Sequence, residues 1–153
     1  LLDRLTDDDP YHRVEAEERR VMSKSQLRQA VLRDLSWLFN ATQPLGKDSS
    51  ETYARVGESV LNFGLPALSG QLASRVDVHL LEKQIRQAIL RFEPRILPET
   101  LHVRAIETQS VMDTHNVIEF DIRGHLWSQP VPLEILLRTQ LDLEAGQVEV
   151  REG

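Results

Sequence analysis

The chain has 153 residues, 41% of them hydrophobic and 27% charged, with a net charge of −6 and no cysteine. That length suits one domain with a sizeable core; the missing cysteines exclude disulfides and thiolate metal sites. The acidic balance argues against generic nucleic-acid binding, which needs a lysine and arginine surplus against phosphate, without excluding a local basic patch, and no apolar run reaches the roughly 20 residues that span a bilayer.

Residues 1–22 are dominated by charge, with an acidic triplet at Asp7–Asp9 followed by Glu15, Glu17, Glu18, Arg19 and Arg20. They read as a solvated arm ahead of a single domain over 23–153, and they carry no signal-type apolar core. The expectation is a soluble, cytoplasmic protein without direct membrane insertion.

Ser23 to Gln26 has the pattern of a capping box and opens the first helix. Its apolar stripe is Leu27, Val31, Leu35 and Leu38, with Ala30 alongside, and the helix is expected to fray at Asn40-Ala41-Thr42. Trp37 and Phe39 flank the stripe, and core packing is the expectation for both. Pro44 and Gly46 open a polar loop. Val56 to Phe63 then suggests a short helix with Gly64 as its C-terminal cap and Pro66 forbidding continuation. Ser74 to Asp77 supply capping residues for a central amphipathic helix. Leu81, Ile85, Ala88, Ile89 and Phe92 recur on its apolar face, and Glu82, Lys83, Arg86, Gln87 and Arg91 fill the other. Pro94 biases Glu93 away from helical geometry, so the helix ends near Phe92. Glu93-Pro94-Arg95 becomes a rigid turn presenting one acid and one base, with Pro98 stiffening the exit.

Beyond Pro98 the period changes from 3.6 to 2. Leu101 to Ile106, Asn116 to Trp127 and Leu133 to Glu144 alternate apolar with polar residues, and Gly146 turns the chain into a last short strand, Gln147 to Arg151. One apolar and one polar face on successive strands implies an antiparallel sheet solvated on one side. The fold class is α+β: two to three helices on one face of a mostly antiparallel sheet of about four strands.

Glu93-Pro94-Arg95 after such a helix resembles the Glu-Pro-Arg signature of the lysozyme-named family that holds the wedge protein of contractile-phage baseplates. Leu38-Phe39-Asn40-Ala41, Ser59 to Pro66 and the strand-rich second half agree, and within that family the chain is most similar to TssE-type baseplate subunits of bacterial type VI secretion systems. The resemblance implies a non-catalytic structural subunit without cofactor. Its partners would be baseplate wedge subunits, touched by Glu93, Pro94, Arg95 and Ile96, and sheath subunits. For the latter the resemblance implies strand exchange at a sheet edge, and the candidate edge is Gln147, Val148, Glu149, Val150 and Arg151.

The family's name invites a second reading, a peptidoglycan-cleaving enzyme with Glu93 as general acid and Asp113, Asp121 or Glu119 as the second carboxylate. Arg95 beside Glu93 opposes it, because a neighbouring cation favours the ionised form. The five histidines have no paired metal-ligand spacing, although His102 and His125 lie on strands that could bring them together, and no Gly-x-Ser-x-Gly elbow is present.

Overall fold

The computed structural model describes Tyr11 and residues 22–45, 52–67, 77–106 and 117–153. The charged arm, apart from Tyr11 and Met22, lies outside them, as do Ser74 to Val76 and Asp113. Helix α1 spans Lys24–Asn40, and the expected capping box is formed: Ser23 Oγ accepts the Gln26 N–H and Gln26 Oε1 accepts the Ser23 N–H. Ala30, Val31, Leu35, Leu38 and Phe39 are its buried residues. The long central helix, here α3, spans Val78–Phe92 and starts where Asp77 caps the Leu80 N–H at 3.0 Å.

The segment expected as one helix over Val56 to Phe63 is broken in two. A four-residue α2, Ala54–Gly57, is followed by a 3₁₀ turn, Val60–Asn62. Ser59 causes the break, because its hydroxyl accepts the Leu61 N–H and donates to the Val56 carbonyl, so the backbone restarts there. Gly64 also serves a purpose other than the expected cap. With φ at +123° it lets Leu65 N–H reach the Ala41 carbonyl at 2.8 Å, and a Cβ on it would sit 2.2 Å from that same carbonyl oxygen. Asn62, almost fully buried, ties the loop together through Leu45 N–H and the Gly57 carbonyl.

The second half forms one antiparallel sheet in the order β1-β2-β3-β4, made of β1 (His102–Ile106), β2 (Val117–Leu126), β3 (Leu133–Asp142) and β4 (Gln147–Glu152). Register pairs Phe120 with Ala105 and Thr139, and Ile122 with Val103 and Leu137. The inner face therefore carries Ile118, Phe120, Ile122, Leu126, Ile135 and Leu137, all buried against the stripes of α1 and α3. Charged and polar residues occupy the outer face: Arg104, Asp121, Arg138 and Arg151 form one cross-strand row, and Glu119, Gln140 and Glu149 the next. The result is an α+β fold, with three helices and a four-stranded antiparallel sheet among the described residues.

Both sheet edges are held by helix side chains. On β1, Glu82 of α3 accepts the Ala105 N–H at 2.7 Å, and Arg86 donates to the Leu101 carbonyl at 3.3 Å. The bond from Ala105 holds the Glu82 carboxyl below its ordinary range. A carboxyl depressed in the folded state contributes stability above its unfolded pKa and loses it as pH falls through the folded one. Urea unfolding from about pH 6 down to about pH 3 will therefore show a shallower acid-side loss for Glu82→Gln, which still accepts the bond but does not titrate. At the other loop, Gly64→Ala will lower stability by about 2–4 kcal/mol in the same measurement, since positive φ and a backbone collision act together.

Candidate functional site

Helix α3 ends at Phe92 because the residue before Pro94 cannot stay helical, and Glu93 closes it with φ −122° and ψ 76° while its N–H still reaches the Ile89 carbonyl at 2.8 Å. Ile96 N–H to the Glu93 carbonyl, 3.2 Å, then folds the four residues into a turn. Beyond it the chain runs antiparallel to the end of β2: Trp127 N–H donates to the Arg95 carbonyl at 2.8 Å, and Leu97 N–H to the His125 carbonyl at 2.9 Å. Ile96 points into the core, 2% exposed, over Gly124, where a Cβ would come within 3.3 Å of its Cγ2. The turn is thus anchored at both ends and beneath.

Its charges face each other. Glu93 is 3% exposed, and both its oxygens are taken by Arg95: Nε donates to Oε1 at 2.6 Å, Nη2 to Oε2 at 2.5 Å, and the Arg95 N–H adds a third bond to Oε1 at 3.2 Å. Nη2 also donates to Asp34 Oδ2 on α1, and Asp34 Oδ1 in turn accepts twice from Arg33. The bond to Glu93 comes first among the causes that raise the Arg95 guanidinium above its ordinary range, with Asp34 adding to it. The Arg95 side chain keeps 26% of its surface exposed, and its Nη1 makes no hydrogen bond to any described residue. Pro94 is exposed beside it, and Trp37, one helical turn after Asp34 and 54% exposed, lies under the Arg33 guanidinium at 5.0 Å.

The last strand, β4, is an edge of the sheet. Val148 N–H donates to Asn40 Oδ1 at 2.9 Å, and Asn40 Nδ2 donates to the Val148 carbonyl at 2.8 Å. The edge is therefore covered at that residue by the last side chain of α1. Glu149 and Arg151 pair with each other along the same strand, at 2.7 Å.

A family model described as Baseplate wedge protein gp25 matches residues 25–131, well over half of the chain. The chain belongs to that family. No curated protein and no solved structure matches it. The match runs from α1 through the β2–β3 connection, so it contains Asp34, Glu93, Arg95 and Asn40, while β3 and β4 lie beyond it.

Three expectations for this wedge-family chain need correction. Glu93 was expected to face outward with Arg95; it is turned inward, because an ionised carboxylate at this corner is satisfied only by the guanidinium two residues on. Ile96, expected on the contact surface, fills the chain's own core. Phe39 is buried as expected, but Trp37 is on the surface, since the α1 stripe already covers the sheet without it.

Sequence reasoning also missed Asp34 and Asn40. Asp34 borders the apolar stripe between Val31 and Leu35, and a carboxylate there is the one signal that could have pointed to a half-buried cation. The same geometry is poor for glycoside hydrolysis. Glu93 has both oxygens occupied by Arg95 and is 3% exposed, so neither is presented to a glycosidic oxygen. Asp121 and Glu119 lie on the outer face of the sheet, bonded to Arg138 and Gln140, and share no cleft with Glu93. His102 lies opposite Arg123 and His125 opposite Glu134, so the two histidines are diagonal neighbours on the outer face and not a directly opposed pair.

Removing Arg95 leaves a buried carboxylate unpaired, whereas removing Asp34 leaves the Glu93–Arg95 fork intact. Arg95→Ala will cost about 3–5 kcal/mol in urea unfolding and Asp34→Ala about 1 kcal/mol.

Proposed function

We propose that this baseplate wedge-family chain is a TssE-type subunit of a type VI secretion system. In this reading it works without catalysis or cofactor on the cytoplasmic side of the apparatus. It joins the wedge complex to the contractile sheath and helps to start sheath polymerisation. Family membership supports the structural role, and one observation carries the contact assignment: Glu93 is spent on holding Arg95, which leaves the Nη1 edge of the guanidinium open at the surface next to Pro94. A guanidinium whose pose is fixed before binding loses little entropy on docking, and its free donors suit carbonyl or carboxylate acceptors on a neighbouring subunit. Trp37 and Arg33 extend that surface with the residue types that dominate contact energies. The β4 edge, Gln147 to Arg151, is the second contact, offered to an extended segment of a sheath subunit.

The test separates folding from docking. Arg95→Lys keeps a cation for Glu93 but removes the planar fork and the free Nη1. Tagged protein carrying Arg95→Lys, purified from its native cells with partners identified, will keep its fold and lose the wedge subunits. Full recovery of those subunits with the variant would sink the contact assignment, and recovery of no secretion-apparatus subunit by the unmodified protein would sink the functional reading itself.

A further inference from the structure

The two edges of the sheet are closed by different chemistry. On β1 the cover is charged: Glu82 on the Ala105 N–H and Arg86 on the Leu101 carbonyl. On β4 it is a neutral amide. Asn40 spends three hydrogen bonds, one from Nδ2 to the Ser36 carbonyl within α1 and two that satisfy both backbone groups of Val148. Its carboxamide thereby imitates one residue of a paired strand. Since N–H and C=O of one residue point the same way in an antiparallel ladder, Val148 faces away from β3, and so do Val150 and Glu152 two and four residues on. Gly153 N–H, which donates to the Leu136 carbonyl at 2.9 Å, confirms the opposite parity for the odd-numbered residues. The outward backbone groups of Val150 bond to none of the described residues, and an open groove of about 540 Å³ borders them, lined in part by Ser36, Asn40, Val148 and Val150.

The side chains along this edge specify what fits. On the outer face Arg151 lies opposite Arg138 of β3 and Glu149 opposite the neutral Gln140; Arg138 is held by Asp121 at 3.3 Å, and Arg151 leans along its own strand onto Glu149 at 2.7 Å, a solvent-exposed pair. An incoming strand with an acid beside Arg151 and a base beside Glu149 would exchange that exposed same-strand pair for two cross-strand pairs. Between them the inner-face position next to Val150 calls for an apolar side chain. Read along an antiparallel strand, these three requirements give acid, apolar, base. We propose that the Asn40 carboxamide is a removable lock on the β4 edge, and that the occupant admitted when it leaves is an antiparallel segment of another subunit carrying an acid–apolar–base triplet. The inference rests on β4 being a strand-adding edge, as proposed above. A neutral amide is the cover that an incoming backbone can replace at least cost, because it gives up bonds of the same kind that the new strand supplies.

Glu149-Val150-Arg151 has that triplet order itself, so a capped hexapeptide of sequence Gln-Val-Glu-Val-Arg-Glu is a ready probe. Titrated into isotope-labelled protein, it will bind Asn40→Ala roughly tenfold more tightly than the unmodified chain, with amide shifts confined to residues 148–152 and α1. A peptide with the two charges exchanged, Gln-Val-Arg-Val-Glu-Glu, will bind the variant several-fold more weakly. Equal binding to variant and unmodified chain would overturn the lock, and equal binding of the two peptides would overturn the triplet. If Asn40→Ala does not fold, amide exchange in the unmodified chain decides: Val148 protected and Val150 fast supports the lock, and equal rates contradict it. Failure here would leave the Arg95 contact untouched, and failure of the co-purification would leave the peptide result standing.

Discussion

An ionised carboxylate sealed in a protein interior must find a cation or give up its charge, and Glu93 satisfies that demand within two residues. Much of the architecture follows from it. The guanidinium that neutralises Glu93 also reaches Asp34, so one charged cluster fastens the end of α3 to the middle of α1. The backbone carrying Arg95 is in turn fastened to the end of β2 through Trp127 and Leu97. Helical layer and sheet thus meet at a corner where proline removes one backbone freedom, a buried acid fixes one arginine, and Ile96 fills the space that Gly124 leaves.

This arrangement alters how a charged turn can serve in an assembly. A flexible acid and base would each have to be ordered when a neighbour docks, and a solvated ion pair contributes little. Here the acid has become part of the scaffold and the base is its presented product. On the proposed function, stability and recognition reside in the same side chain, so a truncation at Arg95 conflates them and a change that keeps the charge is needed to tell them apart. The β4 edge follows a related logic, with backbone groups that would otherwise invite pairing held by a side chain from the helical layer.

Much of the fold was legible before any coordinates. Period-2 alternation in Asn116 to Trp127 and Leu133 to Glu144 gives β2 and β3 because a sheet with one wet face requires it, and the caps at Ser23 and Asp77 give the starts of α1 and α3. Short connections make the sequential strand order natural, yet which edge stays free depends on where the helices lie, and that is a tertiary fact. The split at Ser59 was missed because a hydroxyl competing with the helix looks like any polar residue in a short segment. At the site, proline marked the turn and its position, but the sign of exposure was not readable. Whether Glu93 faces in or out depends on Arg95 closing over it, and Arg95 is held in turn by Asp34, 61 residues from it along the chain.

The central claim is that Glu93 and Arg95 act as one coupled unit, a buried acid holding a half-buried base, rather than as two independent surface charges. A double-mutant cycle in urea unfolding with Glu93→Gln, Arg95→Met and the pair together measures this directly. The account predicts that each single change is costly and that the double variant loses less than their sum, with a coupling of about 1–3 kcal/mol. Additive losses, with coupling indistinguishable from zero, would contradict it.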